Sequence, residues 1–283
     1  MQVFGTLSEP VLRWSAFAAV LVIMALLELA IPKRELSASK GRRWFTNLAI
    51  VGVDSIVIRA MASLPQFLGA VFIPLAAVAA AIWAHDQGVG LLNWLALPAW
   101  LEIIAAIVAL DFAIWLQHVA SHQMPSLWRL HQVHHADVDI DLTTGIRFHP
   151  IEIALSMLYN MVWVVLLGPA PIAVVLFEVI LNAGAMFSHA NVALPSWLDQ
   201  RLRWFVVTPD MHRVHHSVIR SEHDSNYGFN LSIWDRMFGT YVDQPGAGHL
   251  AMTIGLQPYQ TSEPMKLKWS LLVPFRKLPK TET

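Results

Sequence analysis

The sequence predicts an all-α fold: an integral membrane helical bundle of about four to five spans with a histidine-rich helical cap on one side. Three observations predict it. Of 283 residues, 55% are hydrophobic and only 14% charged, well short of the roughly 25% charged residues of soluble domains. The apolar residues gather in runs at 11–31, 45–84, 97–117 and 151–189, with the charge collected between them. That is the pattern of a membrane protein rather than of a large soluble helical one. Twelve of the 13 histidines fall in 118–249, leaving only His85 outside.

Composition also excludes. A net charge of −1 without a basic stripe gives no reason to expect a nucleic-acid partner. The absence of cysteine removes disulfides, iron–sulfur clusters and thiolate ligands, so any metal must be held by His, Asp or Glu. The N-terminus lacks the order of a cleaved signal peptide, and its first apolar run reads as a retained span.

The segment "VLRWSAFAAVLVIMALLELAI" (11–31) has the length of a membrane-crossing helix. It is followed by "PKRELSASKGRR", whose Lys33, Arg34, Lys40, Arg42 and Arg43 put this loop in the cytoplasm by the positive-inside rule. The next apolar stretch is interrupted by Asp54, Arg59 and Pro65. Parity reads 44–63 as one span and 64–84 as a re-entrant or interfacial piece, so that 95–117 returns the chain to the side of the basic loop. The run 151–187 divides at "GPAP" (168–171), where proline and glycine break the helix and make a membrane hairpin. From about 250 the chain becomes polar and reads as a cytosolic flap. The expected organisation is thus 1–94 for the first spans and basic loop, 95–249 for the functional region, and 250–283 for the tail.

The histidines carry the chemistry. "HVASH" pairs His118 with His122. "HQVHH" (His131, His134, His135) and "HRVHH" (His212, His215, His216) repeat one pattern eighty-one positions apart. Residues three and four apart share a helix face, about 5–6 Å between Cβ atoms, so each cluster presents imidazoles from one side. Adjacent His134 and His135 diverge by roughly 100° and can reach two neighbouring metal atoms. With His189 of "FSHAN" the set reaches nine imidazoles, more than a tetrahedral zinc site takes and enough for two metals. Imidazole without thiolate suits iron. Asp111 and Asp210 are expected to orient imidazoles or to serve as helix caps or surface charges. His149 and His223 are site-adjacent candidates. Asp137, Asp139 and Asp141 are expected to be solvated. Trp128, Trp163, Trp197 and Trp204 read as interfacial anchors rather than as a channel lining.

These boxes and their flanks, "DFAIWLQHVASH", "LWRLHQVHHAD", "FSHANVALP", "TPDMHRVHHS" and "NYGFNLSIWDRMFGTY", resemble the membrane di-iron fatty acid hydroxylase/sterol desaturase superfamily over about 95–245. The resemblance implies His118, His122, His131, His134, His135, His189, His212, His215 and His216 as ligands of two iron ions. It further implies O₂ as co-substrate, a lipid such as a sterol, fatty acyl chain or ether lipid as substrate, and hydroxylation or desaturation of an unactivated C–H bond. Electrons would come from a separate ferredoxin-, cytochrome- or reductase-type protein. The competing reading is a histidine-rich metal transporter or metal-binding protein without redox catalysis. Transport needs ionisable groups along a path through the spans, whereas these histidines cluster at span ends. A bis-histidine haem protein needs single facing histidines, and a zinc hydrolase needs HExxH, which is absent.

Overall fold

The computed structural model describes residues 2–4, 7–67 and 77–277. Apart from a short antiparallel pairing of Gln2–Phe4 with Leu7–Ser8, it is helical among the described residues. Five helices are long and apolar enough to cross a bilayer: α1 (Glu9–Ala30), α2 (Lys40–Phe67), α5 (Ala99–Gln123), α7 (Pro150–Leu167) and α8 (Pro171–His189). Between α2 and α5 lie α3 (Ala77–Asp86) and α4 (Leu91–Leu95). Of the re-entrant piece expected over 64–84, residues 68–76 lie outside the described residues, while 64–67 continue α2 and 77–84 belong to α3.

The spanning helices expose what a water-soluble bundle would bury. Leu26, Leu29, Ile56, Ile104, Val162 and Leu166 are all more than half exposed, which is affordable only where lipid meets them. Their inner faces pack α5, α7, α8 and α3 around Leu110, Val164, Val174 and Phe177. The hairpin between α7 and α8 closes on Gly168, whose left-handed φ of 61° ends α7. A Cβ there would meet Val89 O at 2.1 Å, so glycine is required by contact as well as by conformation. Ala170 N–H donates to Glu102 Oε1 at 2.8 Å, and Pro171 opens α8 at a position where its missing N–H costs nothing.

The cap is built from α6 (Pro125–His135), α9 (Ser196–Leu202), α10 (Pro209–His215), α11 (Arg220–His223) and α12 (Ile233–Met237). The basic loop lies on the same side. Lys33 N–H donates to Asn191 O at 3.0 Å, Lys33 Nζ reaches Asp210 Oδ2 at 2.6 Å, and Arg34 donates to Met252 O at 3.0 Å. The parity inferred for the spans therefore has a physical basis: α1, α5 and α8 all end at the cap, and α2 and α7 begin there.

Three expectations need correction. Asp137, Asp139 and Asp141 are at most 1% exposed, so they are not solvated. Arg43, counted as a loop charge, is fully buried and binds Asp137 bidentately at 2.6 and 2.9 Å and Asp141 at 2.6 Å. Asp139 accepts from Ala38 N–H at 2.8 Å. Nor is the tail a detached flap. Arg147 reaches Pro264 O at 2.8 Å and Ser270 Oγ at 2.9 Å, and Trp269 packs with Ile50 and Val133.

Candidate metal centre and its cavity

The first imidazole pair closes α5, one turn from its C-terminus. Pro125 starts α6 after the extended Met124, and the turn swings the first pentad back over that pair. α8 delivers His189 as its last residue, and Thr208 caps α10 by accepting from Met211 N–H at 3.3 Å, which sets the second pentad opposite the first. All nine predicted imidazoles meet, and each is at most 6% exposed. They fall into two groups whose ligand atoms lie within 4.8 Å of one another: His118, His122, His131, His135 and His215, and His134, His189, His212 and His216.

The decisive geometry is in the protons. His118 Nδ1 lies 2.7 Å from Tyr227 O, and His215 Nδ1 lies 2.6 Å from Ser225 O. His189 Nδ1 lies 2.7 Å from Ala185 O, and His131 Nδ1 lies 2.6 Å from Glu152 Oε1. Carbonyl and carboxylate oxygens accept, so these four Nδ1 atoms donate, and each Nε2 is left with a bare lone pair. Yet His118 Nε2 sits 3.1 Å from both His131 Nε2 and His215 Nε2. Two acceptors at that distance repel. Three lone pairs aimed at one point need a cation among them. His189 Nε2 faces His134 Nε2 at 3.1 Å and His212 Nε2 at 3.0 Å in the same manner. His216 is buried with neither ring nitrogen hydrogen-bonded among the described residues. The donor set fits two transition-metal ions of imidazole preference.

Burial, reinforced by neighbouring histidines, holds His134, His135, His212, His215 and His216 well below the usual histidine range. They stay neutral, the form that ligates. The native state therefore refuses protons that an unfolded chain accepts near pH 6.5, so stability is full above that pH and is lost as pH falls below it. Metal-free protein in detergent should show a melting temperature that is flat from pH 8 to 7 and falls steadily towards pH 5.5. A flat curve throughout would mean that these imidazoles are not buried and neutral.

The carboxylates expected beside the cage do other work. Asp111 touches no histidine. It accepts from Asn230 Nδ2 and Trp234 Nε1, both at 2.8 Å, and ties the loop after α11 and the start of α12 to α5. Asp210 pairs with Lys33 and Arg213 and not with His212; burial opposes its charge, but Arg213 and Lys33 keep it below the usual carboxylate range. His149 caps α7 by accepting from Ile151 N–H at 3.2 Å, away from the cage. His223 does lie beside it, its ring centroid 5.3 Å from those of both His122 and His135. Trp128 also packs on the cage, 5.2 Å from His122, whereas Trp197 and Trp204 are well exposed.

The residues that do orient imidazoles were not legible as such. Glu152, in the first turn of α7, reads as a helix-terminal charge, and only the fold aims it at His131. Asp224 lies 3.3 Å from His122 Nδ1. In the "SNYGFN" stretch, Asn226 adopts a left-handed φ of 47° and is pinned by bonds to Met211 O and Val242 O. That turn points the carbonyls of Ser225 and Tyr227 at His215 and His118. Its signal in the sequence was an asparagine before Tyr-Gly, a residue that tolerates positive φ. Glu152→Gln keeps the shape but weakens the acceptor of the His131 proton; metal affinity or turnover should fall about 10- to 100-fold, read by metal content and product formation.

A cavity of about 260 Å³ lies among all five spanning helices and opens onto His118 and His131. Its wall is mostly apolar, with Phe17, Ile58, Ile114 and Leu181 among its lining.

Spans, cavity and cage together define an integral membrane protein whose buried histidines converge on two points beneath an apolar chamber. The sequence profile of the fatty acid hydroxylase family matches residues 103–240, about half of the chain and a region that contains all nine histidines. It is 28% identical over 252 residues to an ornithine lipid hydroxylase of Rhizobium tropici, covering 86% of this chain and 71% of that protein. It is 31% identical over 162 residues to the alkylglycerol monooxygenase of Xenopus tropicalis, covering 57% of this chain and 34% of the relative. With the human alkylglycerol monooxygenase the figures are 30% over 173 residues, 58% and 35%. The chain thus spans about a third of the alkylglycerol monooxygenases it matches. No solved structure matches it.

Proposed function

We propose that this protein is a membrane-bound di-iron oxygenase that uses O₂ to hydroxylate, or desaturate, an unactivated C–H bond of a lipid, with residues 95–249 as its catalytic region. The observation that carries the reading is the convergence of Nε2 lone pairs whose tautomers are fixed by acceptors behind them. His118, His122, His131, His135 and His215 would hold one iron, and His134, His189, His212 and His216 the other. Bound there, the two ions supply the redox chemistry that C–H oxidation requires and no acid–base pair provides. The protein's own contribution is positioning. Ile58, Ile114 and Leu181 line the chamber that takes the alkyl chain and keeps water from the face formed by His118 and His131. Glu152 and the Tyr227, Ser225 and Ala185 carbonyls hold the protons on Nδ1 of His131, His118, His215 and His189, so that these four Nε2 atoms stay available.

Relatives named as ornithine lipid hydroxylase and alkylglycerol monooxygenase support a polar lipid as substrate. Electrons come from a separate ferredoxin-, cytochrome- or reductase-type protein, and the basic loop sharing the cap's side supports a cytoplasmic face for the cage. A transporter reading loses support because no chain of histidines runs through the spans among the described residues. The test is lipid profiling, under ¹⁸O₂, of cells with and without the gene. A new lipid carrying label establishes hydroxylation, and an unlabelled new double bond establishes desaturation. Active protein free of bound metal overturns the reading.

A further inference from the structure

The chamber is not uniformly apolar. Asp54 sits on α2 seven residues beyond Asn47, which belongs to the buried network of the cap. Two helical turns put it about 10 Å deeper into the bundle. A carboxyl at such a place is costly and points to function by default. It does not escape to the lipid, being 7% exposed, and it lines the same cavity as His118 and His131. Its Oδ1 is buried with no hydrogen-bond partner among the described residues. The other polar groups of the wall differ. Gln117 Oε1 accepts from Ser156 at 3.1 Å, and Ser55 Oγ donates to Val51 O at 2.8 Å, so neither oxygen is an orphan. Glu152 Oε2 is the second orphan, on the cage side of the chamber.

We infer that Asp54 is a specificity-determining residue that accepts a hydrogen bond from an O–H or N–H group of the lipid, so that the substrate class is a lipid bearing a hydroxyl or ammonium donor rather than a plain acyl chain. The inference rests on the chamber being the place where the proposed oxygenase takes its lipid. A chain without a donor leaves the carboxyl unpaired on binding, and that penalty supplies the discrimination. An alcohol and an ammonium share the donor chemistry but differ in charge, which separates the two sources.

Full-length protein in nanodiscs is loaded with a fluorescent alkyl probe. The probe is then displaced with 1-hexadecanol, hexadecylammonium or 1-methoxyhexadecane, which has the oxygen without the donor. Wild type should prefer the alcohol, the ammonium or both over the methyl ether by at least about tenfold. In Asp54→Leu that preference should vanish while metal content and elution volume stay unchanged. Asp54→Asn, isosteric and safe for folding, should keep a preference for the alcohol through its carbonyl oxygen and lose any preference for the ammonium. Equal binding of all three probes by wild type, undiminished discrimination by Asp54→Leu, or an ammonium preference kept by Asp54→Asn overturns the inference. Because binding is read without turnover, a chain that discriminates among the probes yet gives neither an ¹⁸O-labelled lipid nor a new double bond would sink the oxygenase reading alone.

Discussion

His189→Ala should cost the purified protein about half of its bound metal and reduce product formation at least about 100-fold, while leaving a folded membrane protein. His189 is the only member of its group supplied by α8, and its Nε2 sits within 3.1 Å of both His134 and His212. Without it, the second group retains three histidines whose Nδ1 atoms lack any acceptor among the described residues. In the first group only His135 shares that lack. The first group, held by Tyr227 O, Ser225 O and Glu152, does not depend on α8 and should keep its ion. Metal analysis beside ¹⁸O incorporation gives both readouts. Full metal content in the variant would show that the two groups do not work as separate halves. By mass action, the loss of one tightly bound ion also lowers the melting temperature.

The spans and the cage were legible for one reason: each is written locally. A run of twenty apolar residues declares its length, and histidines at i, i+3 and i+4 declare a shared face. The hairpin at "GPAP" was legible from the same kind of short-range signal, the glycine and prolines read there, and the geometry closes it on Gly168 with Pro171 opening α8. What could not be read was everything decided by residues a hundred positions apart. Asp137, Asp139 and Asp141 alternate after a pentad and look like a solvated strand of charge; Arg43, 94 positions from Asp137, turns them into buried structure. Asp111 stands a whole number of helical turns before His118 and so looked like its partner. Two donors from the loop after α11 and a third from α12 claim its carboxylate first. Glu152 had no local sign at all, because its partner His131 belongs to another helix.

Arg43→Met should be the most damaging substitution outside the cage, and its damage should reach the metal. Arg43 neutralises Asp137 and Asp141 in a site where neither is more than 1% exposed, and it also donates to Asp139 O at 3.0 Å. Burial alone would raise Asp137, but Arg43 brings it down to about 2, so it remains charged throughout the physiological range. Removing one partner of such a group strands the other charges, at about 3–5 kcal/mol, against a typical total stability of about 5–15 kcal/mol. For a chain of this size that lowers the melting temperature by roughly 6–20 °C. Asp137 lies two residues after His135 at the end of α6, and neighbouring Arg147 holds Val133 O, inside the first pentad, at 2.8 Å. Loosening this network therefore loosens the pentad, and metal content should fall together with the melting temperature. The combined variant Arg43→Met, Asp137→Asn, Asp141→Asn removes the stranded charges and should recover a substantial part of the stability. If it recovers stability but not metal, the network orients the pentad as well as holding the fold. If Arg43→Met alone melts like wild type, the three aspartates are not paired as described, and the coupling between basic loop and cage fails with them.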